Sequence, residues 1–346
     1  MRKLIIWLVL ICCVVIPVSA LEFHAPTAPQ QANQYMPEDT ESFSEGLFYI
    51  IRSAISAARP SLSKASGICI RLIVTILLMK ILSGISAEES NAVRLTGAVI
   101  VGLLLLDPIS SMIRLSTNTV TEMTEYGKLL LPVMTAAMAA QGGATSSAAL
   151  YTGSVAFSTF LTTIISRLIV PALYIFLCIC VADSALNQDM LGKIRDFFKW
   201  AITWSLKIIL YVFTGYMSIT GVISGTVDAS ALKAAKLTIS GVVPVIGSVL
   251  SDTSESILVS AGIMKNAAGV YGILAVIAIF IGPFLEIGIQ YLILKLTGAI
   301  CNMIGSKQNV ALVNHFTTGM GIVLAMTGTV CVLLLISLVC FIKGMS

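Results

Sequence analysis

Five side chains sit in surroundings so apolar that any chemistry they do must be membrane chemistry. Asp107 stands inside LLLLDPIS, Asp183 closes the run VPALYIFLCICVAD, and Glu286, Gln290 and Lys295 fall in a long apolar stretch toward the C-terminal end. An ionised side chain at bilayer depth costs at least about 2.5 kcal/mol, so such a group faces water, a partner or another polar group. Glu286 and Gln290 are four apart and share a helix face, and Lys295 falls close to the same face. This set offers proton or ion coupling through Glu286 or Asp107, or else polar contacts that orient helices within an assembly.

A second set is built from helix breakers rather than charges. In KLLLPVMTAAMAAQGGATSSAALY, Lys128 to Tyr151, the apolar run is interrupted by Pro132 and by Gly142-Gly143, then followed by the hydroxyls of Ser146 and Ser147. Irregular backbone at membrane depth survives only when buried in protein or lining a wet cavity. The theme returns at Ser240 to Gly269, where Pro244 follows apolar residues and precedes a polar cluster containing Asp252 and Glu255. Pro132-Val133 and Pro244-Val245 lie 112 residues apart, and each proline is followed 39 residues later by another, Pro171 and Pro283. Paired interrupted segments in two halves point to a transporter-like passage. Two plainer readings stand beside it: small residues also serve close helix packing, and a Ser-Asp-Thr-Ser-Glu run also caps a helix N-terminus.

Long helices must position both sets. The 346 residues are 57% hydrophobic and only 11% charged, with a mean hydropathy of +0.97, against roughly 25% charged residues in an ordinary soluble domain. The composition predicts an all-α, polytopic transmembrane helical bundle of about six to eight spans, since each needs about 20 apolar residues, with broken or re-entrant segments and an internal two-fold repeat. Residues 1–20 have the form of a signal peptide, with Arg2 and Lys3 before an apolar run that ends Val18-Ser19-Ala20. Residues 21–45, with three prolines, five acids and no Lys or Arg, read as a disordered extracytoplasmic arm. Residues 46–64 read as an interfacial amphipathic helix, and 65–346 as the multispanning domain, with repeat units 128–239 and 240–346. Spans are expected at about 66–85, 95–113, 148–165, 168–186, 201–224, 270–287, 288–304 and 316–342. A separate amphipathic helix is expected at 187–200, where Lys193, Arg195 and Lys199 favour the cytoplasmic side.

Several function classes drop out. The net charge of +4 is scattered, so no patch for nucleic acid forms. No phosphate-binding loop, zinc-protease helix or nucleophile elbow occurs, and the only histidines are His24 and His315. The reading is therefore of a non-enzyme with no cofactor and no metal ligands, in which the cysteines act as small hydrophobes and any ATPase is a separate partner.

LLPVMTAAMAAQGG, together with SGVVPVIGSVLSDTSESIL and its KNAAGVYG continuation, resembles the stage III sporulation protein AE family of endospore-forming bacteria. The likeness covers roughly residues 45 to 342. It implies a multispanning subunit of the channel or secretion-like complex that links mother cell and forespore, placed in the mother-cell membrane around the forespore. The partners it implies are the ring-forming and other membrane proteins of that complex, a cytoplasmic ATPase, and the lipid bilayer. The resemblance transfers no catalytic residues. Against it stand an independent ion- or proton-coupled transporter and a structural anchor that conducts nothing.

Overall fold

The computed structural model describes residues 26–37, 43–85, 91–140, 144–186, 189–219, 267–304 and 307–344. The helices in order are α1 (Gln30–Asn33), α2 (Phe43–Ala57), α3 (Arg59–Ile85), α4 (Asn91–Ala140), α5 (Ala144–Ile164), a π turn (Ile165–Ile169), α6 (Val170–Leu186), α7 (Asp189–Ile219), α8 (Ala267–Ile304) and α9 (Lys307–Gly344). Among the described residues six helical stretches are long and apolar enough to cross a membrane. The chain is an all-α helical bundle of the polytopic membrane kind.

The rods are longer than the expected spans. The expected span at 95–113 and the breaking stretch after Lys128 lie on one helix, α4, which runs through Pro108 and Pro132 without a break. A proline in a helix interior costs about 3 kcal/mol in isolation. Here α4 is held along its length by α9 and flanked by α5, α6 and α8, so tertiary packing outweighs local preference. Spans expected at 148–165 and 168–186 form one rod through the π turn, where the Val170 N–H bonds to the Ile165 carbonyl just before Pro171. Likewise 270–287 and 288–304 are both α8, and the amphipathic segment, described from Asp189, is the first part of α7 rather than a separate helix. At 1.5 Å per residue the 38-residue α8 and α9 are each about 57 Å long. That exceeds the roughly 30 Å of a hydrocarbon core, so twenty-residue windows cut continuous rods in two.

The centre of the bundle is the pair α8 and α9. Every residue from Ile273 to Ile281 is buried, as expected of a helix that is apolar all round. Their antiparallel register is fixed by Gly269 against Ile342, Gly321 against Tyr291 and Gly298 against Asn314. α4 runs parallel to α9: Gly97 lies beside Asn309, the Ser116 hydroxyl meets Val323 and Thr327, and Gly127 receives Leu334. The α5–α6 rod returns antiparallel to α4, with Thr124 on Thr162 and Gly102 on Val181. The helices flanking Gly142-Gly143 are therefore both long rods, and the stretch is not a short re-entrant hairpin.

Part of the N-terminal arm is laid against this core. Ala28, Ala32 and Tyr35 are buried. The Tyr271 hydroxyl receives the Ala28 N–H at 3.4 Å, and the Tyr126 hydroxyl donates to the Pro26 carbonyl at 3.4 Å. Residues 26–37, expected within a disordered arm, thus have a fixed place because small alanines and one aromatic ring fit the groove beside α8. α2 follows, burying Phe43, Gly46, Ile50 and Ala54 at helical spacing.

Candidate functional site

The candidate residues separate into places of different character. Pro132 is exposed on α4, while Leu130, Leu131, Met134, Ala137 and Met138 fill the inner side of that segment. The Thr135 hydroxyl donates to the Leu131 carbonyl at 2.7 Å, which satisfies the hydroxyl within its own helix. Ser147 is buried. Gly142 and Gly143 lie outside the described residues, as does the side chain of Ser146. So do Pro244, Asp252 and Glu255, and with them the second interrupted segment. What can be seen of the first segment is a filled interface.

Hydroxyls, not charges, are the buried polar groups around it. Ser116 and Thr327 pair at 2.7 Å, as do Thr124 and Thr162. Ser154 and Ser158, 0% and 3% exposed on α5, have hydroxyls without a hydrogen-bond partner among the described residues. Most of the threonines also donate to the carbonyl four residues back, including Thr124, Thr162 and Thr327.

Asp183 has a definite partner that sequence reading missed. Arg195 Nη1 donates to Asp183 Oδ2 at 2.6 Å and to His315 Nε2 at 2.8 Å, while its Nε donates to Asp196 Oδ1 at 3.0 Å. Because a guanidinium only donates, Nε2 of His315 is an acceptor and the imidazole is neutral with its proton on Nδ1. One guanidinium therefore ties α6, α7 and α9 together. The Ser184 hydroxyl adds a bond to the Gln308 carbonyl at 3.2 Å. Nothing in the spacing of Asp183, Arg195 and His315 announces this triad; only the fold brings them together.

Glu286, Gln290 and Lys295 do not act as one set. Gln290 is buried, whereas Lys295 is exposed and holds its ammonium 5.8 Å from the centre of the Tyr291 ring, a cation–π contact on the surface. The nine-residue step carries Lys295 off the Glu286 face, so the expected sharing fails there. Glu286 instead borders a cavity of about 140 Å³ between the arm, α2, α3, α4 and α8, together with Gln34, Tyr35, Ser61, Gly282 and Pro283. Burial first, and the Glu286 carboxylate second, raise the pKa of the Tyr35 phenol above the ordinary tyrosine range. Asp107 is exposed on α4.

The profile of the family described as Stage III sporulation protein AE matches residues 36–344. A curated relative, Stage III sporulation protein AE of Bacillus subtilis (strain 168), is 21% identical over 245 residues, covering 70% of this chain and 61% of that protein. The chain thus spans less than two thirds of that relative's length. No solved structure matches at a significant level. With a family match that runs from the arm to the end of α9 on a helical membrane bundle, the chain belongs to the stage III sporulation protein AE family.

Proposed function

We propose that this protein is a membrane subunit of the mother cell–forespore channel complex, and that it serves as a close-packed platform on which other subunits assemble. The observation that carries the platform reading is the filled Pro132 segment. Its proline faces outward on an unbroken helix, and bulky side chains occupy the inner side where a passage through one chain would run. Family membership carries the sporulation part. The companions in this reading are ring-forming membrane proteins and a separate cytoplasmic ATPase, in the mother-cell membrane around the forespore, and the platform itself is not an enzyme.

Charge supports an orientation. Lys80, Lys193, Arg195, Lys199 and Lys307 gather toward the end of the bundle where α3, α6 and α8 finish and α4, α7 and α9 begin, while Arg52, Lys128 and Lys343 lie in the other half. The positive-inside bias favours the cytoplasm for the first end. Three long crossings, α2–α3, α4 and α5–α6, separate the arm from Lys193, which supports an arm on the outer side. The basic helix and the extracytoplasmic arm are thereby compatible.

Deletion in a sporulating host tests the reading: spore formation should fail after engulfment and be restored by the full chain, which should co-purify with the ATPase and ring proteins. Normal spore yield without it would refute the role. Ser147→Cys should resist a membrane-impermeant maleimide in the assembled complex. Ready labelling there would replace the platform with a lined passage.

A further inference from the structure

We infer that the cavity beside Tyr35 is a binding site for a monovalent alkali cation. Its polar lining comes from three elements: Gln34 and Tyr35 of the arm, Ser61 of α3, and Ile279, Pro283 and Glu286 of α8. Ile279, Pro283 and Glu286 recur at helical spacing, so one face of α8 looks into the space. Pro283 has no N–H to give the Ile279 carbonyl, which is left without its usual helical partner. Residues carrying a carboxylate, two hydroxyls and an amide thus border one cavity together with Ile279, whose carbonyl Pro283 frees, and no Lys, Arg or His is among the lining residues.

That donor set selects its ligand. Hard oxygen donors suit alkali and alkaline-earth ions, and a single carboxylate balances a single positive charge. Freed backbone carbonyls beside polar side chains are how membrane transporters hold coupling ions at interrupted helices. A cavity of about 140 Å³ accommodates such an ion with water molecules completing its shell.

Gly282 shows how closely the arm sits on α8 at the site. The Tyr35 hydroxyl lies 2.8 Å from the point a Cβ on Gly282 would occupy. Only a bare backbone lets the phenol settle on α8 beside Pro283. Since Gln34 and Tyr35 belong to the arm and the remaining donors to the bundle, occupancy of the site and docking of the arm are one equilibrium: the cation fastens residues 26–37 to α8. This inference is independent of the sporulation reading, and its test needs only the purified full chain.

Hydrogen exchange of the amides in residues 26–37, measured in NaCl or KCl against choline chloride at fixed ionic strength and pH, reads that equilibrium. The alkali salts should slow exchange in a saturable way and choline should not. Glu286→Gln should abolish the response. Gly282→Ala, which keeps the carboxylate but dislodges the phenol, should shift half-saturation about tenfold upward, as loss of one ligand worth about 1.4 kcal/mol requires. Equal slowing by choline, an undiminished response in Glu286→Gln, or slowing on acidification alone would each overturn the proposal, the last in favour of a proton. Should Glu286→Gln not fold, Gly282→Ala decides alone: an unchanged half-saturation overturns it.

Discussion

The two ends of the bundle are built from different chemistry. Toward the C-terminal ends of α4 and α9, the segments 129–140, 144–164, 208–219, 267–285 and 326–342 contain no Asp, Glu, Lys or Arg. Toward the other end the same rods carry Asp107, Asp183, Lys193, Arg195, Asp196, Lys295 and Lys307. In the first half, helices are held by apolar side chains fitted against glycines, with hydroxyls satisfied mainly within their own helix. In the second, a guanidinium joins three helices. The difference teaches that one rod can be read by two rules, packing alone at one end and packing plus charge pairing at the other. Glu286 and its cavity lie just past the charge-free part of α8.

A charge placed in the charge-free half should break this contrast most severely. Ala278 is wholly buried in the all-apolar stretch of α8. Ala278→Asp would bury an unpaired carboxylate, at a cost of several kcal/mol. The folded, membrane-inserted chain should be lost, as read by detergent-resistant yield on size exclusion. A well-folded variant would mean that water reaches this segment and that the half is not dry.

Overfilling should come next. At Gly153 an added Cβ would stand 2.0 Å from the Tyr216 ring, whose hydroxyl is itself held on the Ala149 carbonyl at 2.8 Å. Gly153→Val should destabilise by about 1–3 kcal/mol, seen as a lower Tm. Gly215 has open space around it, so Gly215→Ala should be neutral or stabilising. If the two behave alike, close fit is not what joins α5 to α7.

Asp183→Asn probes the charged half. It keeps the volume but removes the carboxylate that balances Arg195, whose side chain is only 16% exposed. Partial exposure limits the effect to about 1–2 kcal/mol. Asp107, exposed and outside this triad, should tolerate Asn within about 0.5 kcal/mol. Equal losses at the two aspartates would dissolve the distinction between a tie and a surface charge.

How much of this was legible beforehand follows from which forces decide each feature. Long apolar runs announce a helical membrane bundle because burial of backbone polar groups in lipid leaves few alternatives. The unbroken passage through Pro132 was not legible, since the proline penalty is local while the compensation comes from α9, some 200 positions away. Glu286 stands out as a carboxylate in an apolar run, but Tyr35 and Ser61 lie in segments that read as arm and interfacial helix. Arg195 looked like one more basic residue on an amphipathic face, and only the meeting of α6, α7 and α9 gives it Asp183 and His315.

The smallest expected effect lies at the cavity, between the two halves. Tyr35 has a folded-state pKa raised above the unfolded value by burial and then by the Glu286 carboxylate. A group with a raised pKa favours the folded state in its protonated form. Its contribution is therefore complete below the ordinary tyrosine pKa and is lost as pH rises through the higher folded-state value. The arm should leave α8 in that alkaline window, detectable as faster exchange in residues 26–37 before any global unfolding. Glu286→Gln removes the smaller of the two raising causes, so an ultraviolet difference titration, with Tyr35→Phe as the reference that isolates this phenol, should show its midpoint move down only partway. If the midpoint does not move, the carboxylate and the phenol do not sense each other, and the arm is held by apolar burial at Ala28 and Ala32 alone.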